Sequence, residues 1–447
     1  MPYEGEFAQH RSLSRLVQSE RVQQLLGNFR IREQSGSEIK PLVKIQMQPT
    51  GWMPTWVISI DGSHQEVEIR NGFPGAEASY VTVASVMLDI KKMRQLDEQR
   101  PVNPKDFRTL ERAESIDCAL PGCNIIYDSE LSATDSLRRA IFEVFSSVKM
   151  SEDGETLLDT YEKLLEYKPD GGQKCPYEDC PEKAEYMRGS GKYQCPCSLA
   201  RTLYSTDALR IHEEMNPAGT NSQVFSRIML LWERIWMIHI LRTMEAKKWL
   251  SSLNRIAIFL DGQLAVFGPP AWISQSIYQE LLRLSPHIRK ATGGKDLLLI
   301  GVEKTGAFVQ HFEDLDKETG DNESFLPQTI GLLDDIYIKK NIIFSDSKKP
   351  YGDDTYFGRK FFYKTKSGAL IVACLPFLTE DHKDLSRAEP SQYPRLQDAI
   401  ALLDQLVSSR YPNSLMPLIV ANAEAAIPLN IGTKVLERLA RELVSES

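Results

Sequence analysis

The chain has 447 residues, and none of its apolar runs reaches the ~18 continuous residues that a membrane span needs. Its most apolar stretch, Ile228 to Leu241, is broken by Glu233, Arg234 and His239. The N-terminal MPYEGEFAQHRSLSRLV lacks the apolar core of a secretory signal. No membrane association is expected, and the absences point to a soluble, cytoplasmic protein. An excess of positive charge is also missing, since the formal net charge is -8. Chains that grip nucleic acid over a broad surface are mostly basic, which disfavours that mode of binding. A site built from several carboxylates lowers the net charge, and a partner can deliver an acidic ligand. There is no internal repeat and no low-complexity tract. Cysteine is sparse, at seven residues. In a reducing compartment, cysteines that do pair more often hold metal than form disulfides.

What is present reads as an ordinary globular chain, 42% hydrophobic and 26% charged. The length fits about three domains or one elaborated α/β domain. Residues 1–45 read as an N-terminal helical segment, with Leu13, Leu16, Val17, Val22, Leu25 and Leu26 at helical spacing. From Trp56 the pattern becomes that of strands. TWVISIDGS is a buried strand ending in a turn, and EVEIR and YVTVASVMLDI follow it as a meander. Residues 91–220 read as an insertion. They hold charged helical stretches around Lys91–Arg100 and Ser136–Lys168 and six of the seven cysteines. A long helix spans about Ser222 to Ser252. Beyond it strands and helices alternate: IAIFLDGQLAVF, a helix from near Pro270, DLLLIGVEKTG and a helix. FFYKTKSGALIVACLP reads as a hairpin turning at Lys366–Gly368. A helix at 394–409, a strand-like PLIVANAEAA and a helix at 431–445 close the chain. The expectation is an α/β core from 46–90 and 221–447, a mixed sheet with helices on its faces.

Two strands share one design, with Asp61 closing WVISID, Asp261 closing IAIFLD, and glycine next in each. Asp-Gly after a strand is usually a turn. A carboxylate at the end of a buried run, however, is costly without a partner, and a cation is a good one. The long helix supplies a third carboxylate, Glu233, among bulky apolar residues. It is either salt-bridged to Arg227 or part of a site. Glu245 competes with it but lies in a more polar context. Asp61, Glu233 and Asp261 form a minimal oxygen-donor set for Mg²⁺ or Mn²⁺. Two such ions ~3.5–4 Å apart suit phosphodiester hydrolysis.

VISIDGS, the acidic helix before IFLDG, LIGVEKTG and ANAEAAIP together resemble the NurA nucleases, over most of residues 55–430. The resemblance implies an RNase H-like core and a DNA-end-processing enzyme that prefers Mn²⁺. It implies a homodimer working with the hexameric ATPase HerA, in DNA repair by end resection or, in some members of the bacterial branch it most resembles, in anti-phage defence. Asp61 and Asp261 match the family's strand-end aspartates, Glu233 its helix glutamate, and Lys304 a basic residue that would contact the scissile phosphate. Where the family usually has a histidine, this chain has Asn422 and Glu424. Either Glu424 takes the ligand role, or metal preference and activity are altered. A catalytically weak adaptor of a ring ATPase, or an RNA-cleaving relative, is the alternative.

Cys175 and Cys180 in KCPYEDCP and Cys195 and Cys197 in YQCPCS resemble a zinc ribbon within the insertion. Four thiolates satisfy tetrahedral Zn²⁺. Cys118 and Cys123 form a further pair that replaces or joins them, and Cys374 reads as core. The segment STDALRIHEEMNPAGTN is either a capped turn, through Ser205 or Thr206, or a substrate-lining loop. In FSDSKKPYGDDTYFGRKFFYKTKSG, Lys348, Lys349, Arg359 and Lys360 alternate with aromatics. This is either a DNA-binding channel or a solvated hairpin.

Overall fold

The architecture is that of a computed structural model. It describes residues 10–29, 41–70, 75–91, 111–127, 130, 132–169, 173–177, 179–181, 185–186, 189–317, 325–408, 413–426 and 431–445. Residues 1–41 form one unit, with helices α1 (His10–Gln18) and α2 (Glu20–Gly27). Their Leu13, Leu16, Val17, Leu25 and Leu26 are all exposed.

Residues 42–447 form the second unit. Its strands are β1 (Val43–Gln46), β2 (Trp56–Arg70), β3 (Ala76–Asp89), β4 (Glu111–Pro121), β5 (Gln173–Lys174), β6 (Glu185–Tyr186), β7 (Lys192–Gln194), β8 (Thr202–Tyr204), β9 (Ile256–Asp261), β10 (Leu299–Glu303), β11 (Thr329–Leu332), β12 (Gly358–Lys364) and β13 (Leu370–Pro376). The main sheet runs β1-β11-β12-β13-β10-β9-β2-β3-β4. Its centre is parallel, because β9 runs with β2 on one side and β10 on the other. The remaining pairs are antiparallel. Parallel strands need cover on both faces, which is why IAIFL reads as an unbroken apolar run.

Helices α3 (Ala133–Ser147), α4 (Leu157–Glu166), α5 (Ser222–Ala246) and α6 (Ile273–Thr292) cover one face. They pack Phe145, Tyr161, Trp232, Trp236 and Leu281 with Ile60, Ile258 and Leu260 of the strands. Helices α7 (Ala307–Lys317), α8 (Asp335–Asn341) and α9 (Glu380–Lys383) follow in the chain. Helices α10 (Leu396–Leu406) and α11 (Met416–Ala425) cover the opposite face, with Leu402, Leu403, Leu418 and Ala421 against Val57, Phe259 and Ile300. The chain ends in α12 (Ile431–Ser445). A mixed sheet with helices on both faces is the expected class. Strand β4 pairs with β3, and α3 and α4 share the core of the sheet, so part of 91–220 is continuous with it. The Lys91–Arg100 stretch lies, from residue 92 on, outside the described residues. Among the described residues no helix is long and apolar enough to cross a membrane.

Three local readings change. WVISIDGS and EVEIR are one strand: β2 runs through Asp61 and Gly62 without a turn and stays paired with β3 along that length. Asp61 is therefore mid-strand. The second Asp-Gly does end its strand, with Gly262 at φ +77°. The same dipeptide behaves in two ways because β3 continues the hydrogen-bond ladder beside one and not the other. PLIVANAEAA is not a strand but α11. A short apolar run has no period of its own to separate a strand from a buried helix, and Pro417 in the first turn suits a helix start. The long helix ends at Ala246, and a short 3-10 turn over Leu250–Arg255 leads into β9.

Candidate metal centre

The register of the central strands sets the geometry. Ile60 pairs with Leu260 in the parallel β2–β9 ladder, and the next residues are Asp61 and Asp261. Side chains alternate along strands, so both aspartates share a pleat direction, opposite to Ile60 and Leu260. Asp61 is buried, at 2% exposure. Its Oδ1 accepts the Gly62 N–H at 2.8 Å, and the Asn422 side chain of α11 acts on the same carboxyl group to lower its proton affinity. Its Oδ2 is buried with no hydrogen-bond partner in the structure. Asp261 is partly open and pairs through Oδ1 with Lys304 Nζ at 2.8 Å. Lys304 directly follows β10, the other parallel neighbour of β9.

Glu233 arrives from α5, the layer on the opposite face. Gly62 makes this approach possible: a Cβ there would stand 2.7 Å from Glu233 Oε1 and 2.6 Å from Met229 Cγ. Glu233 is fully enclosed and forms an ion pair with its neighbour Arg234. Arg234 Nη2 also donates to the carbonyls of Asp261 and Gln263, at 3.0 and 3.2 Å. The arginine therefore ties helix α5 to the end of β9.

Asp61 and Glu233 hold their protons more tightly than free carboxyl groups do. Burial first, then the Asp261 charge, pushes Asp61 up to about 7 against the opposing effect of Lys304. Burial pushes Glu233 up to about 8, with Asp61 and Asp261 adding to it and Arg234 opposing. Lys304 offsets part of the charge at Asp261 and Arg234 part of that at Glu233, and a divalent cation would offset the rest. The donors are hard oxygens, and one of them, Asp61 Oδ2, lacks a partner. The residues therefore fit a divalent cation of the Mg²⁺ or Mn²⁺ class.

A cleft of about 790 Å³ opens beside the acids, lined among others by Asp261, Lys304, Arg234, Arg227, Gln263, Glu303, His64 and Phe267. Asp61 and Glu233 lie buried behind this lining. Tyr356 OH donates to Gln263 Oε1 at 2.6 Å, and the buried Lys360 holds Glu303 at 2.7 Å. Both contacts set the orientation of cleft residues from behind.

Residues 56–427 match the NurA domain model. The chain belongs to the NurA family. Among solved structures, the NurA nuclease from Sulfolobus solfataricus is similar at 9% identity and a TM-score of 0.32, over 91% of this chain and 88% of that one. That likeness is too distant to carry residue positions across. No curated protein matches the chain.

In this NurA-family chain, Asp61, Glu233 and Asp261 lie near enough for charge to act between them and Lys304 pairs with Asp261, but among the described residues the three acids do not gather their oxygens as closely as Cys175, Cys180 and Cys195 gather their sulfurs. Glu245 does not join them. It lies twelve residues further along α5, about 18 Å away, and pairs with Arg283 at 2.6 Å and His287 at 2.7 Å. The expected Arg227 partner for Glu233 is replaced by Arg234, and Arg227 pairs with Glu214 instead. Glu424 is exposed. Asn422 is also exposed, but it acts on the Asp61 carboxyl group, and two residues along a helix is a rotation of about 200°, which points Glu424 elsewhere.

The basic segment divides. Lys348 and Lys349 are exposed, and Lys349 pairs with Asp354 at 3.0 Å. Arg359 and Lys360 are buried, which removes them as contacts for a DNA backbone. Arg359 donates to the carbonyls of Asp384, Leu333 and Arg387, and Lys360 lies 3.5 Å over the Phe308 ring beside Glu303. Both sit on β12, which is central in the sheet rather than on a surface hairpin. The 205–217 segment is structural at its centre: Asp207 pairs with the buried Arg138 at 2.7 Å and caps the turn by accepting the Tyr204 N–H. Neither Ser205 nor Thr206 side-chain oxygen finds a partner there.

Sequence reasoning missed Gly62, Arg234 and Asn422 as parts of the centre. Arg234 carried a signal, because a Glu-Arg dipeptide inside an apolar helix must satisfy both charges within the core. Gly62 read only as a turn former.

Proposed function

We propose that this chain is a metal-dependent DNA nuclease that processes DNA ends. The observation that carries the reading is the neighbouring register of Asp61 and Asp261, with Glu233 held against the β2 backbone at Gly62. Membership of the NurA family supports the same chemistry. Asp61, Glu233 and Asp261 would hold the ions, with Mn²⁺ or Mg²⁺ as the candidates. When bound, two such ions supply an activated water and a stabilised leaving oxygen for phosphodiester hydrolysis. Lys304, at the mouth of the cleft, places a point positive charge where a phosphate would lie. Asn422 orients the Asp61 carboxyl group, taking the position for which a histidine or Glu424 was expected. Arg234 holds Glu233 and the β9 terminus in one arrangement.

An RNase H-like catalytic geometry, a homodimer and a HerA-type hexameric ATPase as DNA-delivering partner belong to the same proposal. The net charge of -8 favours delivery by a partner over broad capture of DNA by this chain alone. Repair by end resection and anti-phage defence are the two settings the family offers.

The test is degradation of linear double-stranded DNA with Mn²⁺, with and without the cognate ATPase. The parent protein should degrade DNA, more strongly with the ATPase. Asp61→Ala and Asp261→Ala should each lose about 10³-fold or more while keeping the parent's circular dichroism. Both variants remaining as active as the parent would remove the acidic centre from the reaction. An adaptor with a degenerate site, which the asparagine at 422 would favour, should bind no divalent ion of this class in calorimetry.

A further inference from the structure

The cysteine segment is not part of the acidic centre, and its geometry has its own logic. The sulfurs of Cys175, Cys180 and Cys195 lie within 4.8 Å of one another. Cys197 is buried in the same small apolar cluster, with Tyr177 and Leu203, and its thiol meets that of Cys195. Three sulfurs are thus gathered from two separate turns, with that of Cys197 beside Cys195. Tetrahedral Zn–S bonds of ~2.3 Å put sulfurs roughly 3.8 Å apart, so the three need only a small contraction while Cys197 must close in on them.

The two turns repeat one device. Each opens with Cys-Pro: Cys175-Pro176-Tyr177 and Cys195-Pro196-Cys197. In each, burial raises the thiol's proton affinity and the backbone N–H two residues on, of Tyr177 for Cys175 and of Cys197 for Cys195, acts against it. Such contacts favour the thiolate and fix the direction of its lone pairs, as outer-shell donors do at metal sites. The remaining cysteines are elsewhere: Cys118 Sγ faces the Val81 carbonyl, Cys123 Sγ faces the Gly75 carbonyl, and Cys374 is in the core under the main sheet.

The surrounding structure needs a staple. Strands β5 and β6 have two residues each, and β7 and β8 have three. Hairpins of that length do not hold themselves together. Strand β8 runs straight into the turn whose Asp207 pairs with Arg138 of α3. Arg138 also lies over the Tyr177 ring, 4.5 Å from its centroid. Whatever fixes the two hairpins therefore also fixes the seat of a buried ion pair.

We infer that Cys175, Cys180, Cys195 and Cys197 bind one structural Zn²⁺ through four thiolates. The four thiols give up their protons to solvent as the ion binds. Soft thiolate donors separate this site from the oxygen-lined centre, which selects Mn²⁺ or Mg²⁺.

The experiment uses the full chain, purified without added zinc. Elemental analysis should find one zinc per chain, and Asp61→Ala should keep it, so a failure of the nuclease reading leaves this result untouched. Cobalt exchange should give the visible and charge-transfer bands of a four-sulfur tetrahedral site. Cys197→Ser should shift them to a three-sulfur pattern. Should that variant fold poorly, modification of the parent with a mercurial reagent, mapped by peptide mass, should release zinc in step with these four cysteines. No bound zinc, a disulfide among the four, or a cobalt spectrum indifferent to Cys197→Ser would each overturn the assignment.

Discussion

Asp61 and Asp261 stand side by side on neighbouring parallel strands, one position beyond the paired Ile60 and Leu260. Their mutual repulsion adds to burial in pushing the Asp61 carboxyl up to about 7. The centre is therefore destabilising when empty and charged, and that has measurable consequences.

The first concerns pH. Asp61 moves up from 3.8 and Glu233 from 4.5, so the native chain holds both protons more tightly than the unfolded chain does. Their contribution to stability is fully present below the unfolded values and is lost as pH rises through about 7 and about 8. With chelator present, Asp61→Asn should raise Tm by about 2 °C near pH 9 and leave it unchanged near pH 5. Mn²⁺ should raise the Tm of the parent more on the alkaline side, because binding needs the ionised carboxylates. Differential scanning calorimetry at the two pH values decides, and equal shifts at both would count against the coupling.

Gly62→Ala tests the approach of Glu233. The new methyl group would meet Met229 Cγ and Glu233 Oε1 at less than 3 Å. Overpacking of that kind costs about 1–3 kcal/mol. Urea unfolding should show that loss, and calorimetry should show weakened Mn²⁺ binding. Normal binding with normal stability would mean that Glu233 stands off from the strand.

Lys304→Ala removes the cation beside Asp261. Hydrolysis should slow by about 10²-fold, the usual cost of one group that stabilises developing charge. Mn²⁺ affinity should not fall, since Lys304 is a neighbour and not a ligand. Single-turnover rates measured at saturating Mn²⁺ separate the two effects.

Asn422 and Glu424 make opposite predictions. Asn422→Leu removes the polar group that acts on the Asp61 carboxyl and should weaken Mn²⁺ binding about 10–100-fold, as loss of an orienting outer-shell group does. Glu424→Ala, about 200° around the same helix from Asn422, should stay within about twofold of the parent. The reverse ranking in a metal titration would return the ligand role to Glu424.

Several parts of this site were legible beforehand. IAIFLD announced a strand buried on both faces, and its aspartate ends that strand as expected. The hairpin around Gly368 follows from its turn residues, with φ +90° at that glycine. Glu233 was chosen over Glu245 by its apolar surroundings, and the two do differ as burial implies. Other parts were not legible. Nothing in DGSHQ says that β3 keeps pairing through Gly62. Nothing in GRKFFYK says that β12 lies inside the sheet, where Arg359 and Lys360 must find carbonyls and a carboxylate. Asn422 could not be assigned while its segment read as a strand.

The sequence by itself determined which segments are apolar enough to be buried, where most helices and strands run, and which acids are expensive to bury. These are local properties, set by side-chain period, turn chemistry and the desolvation of single groups. The tertiary structure alone decided that Asp61 and Asp261 are neighbours, that Glu233 lies against the β2 backbone at Gly62, and that Asn422 of α11 acts on the Asp61 carboxyl group. Those facts depend on register between distant strands and on which layer each helix occupies. Both are fixed only when the whole sheet closes its core at once.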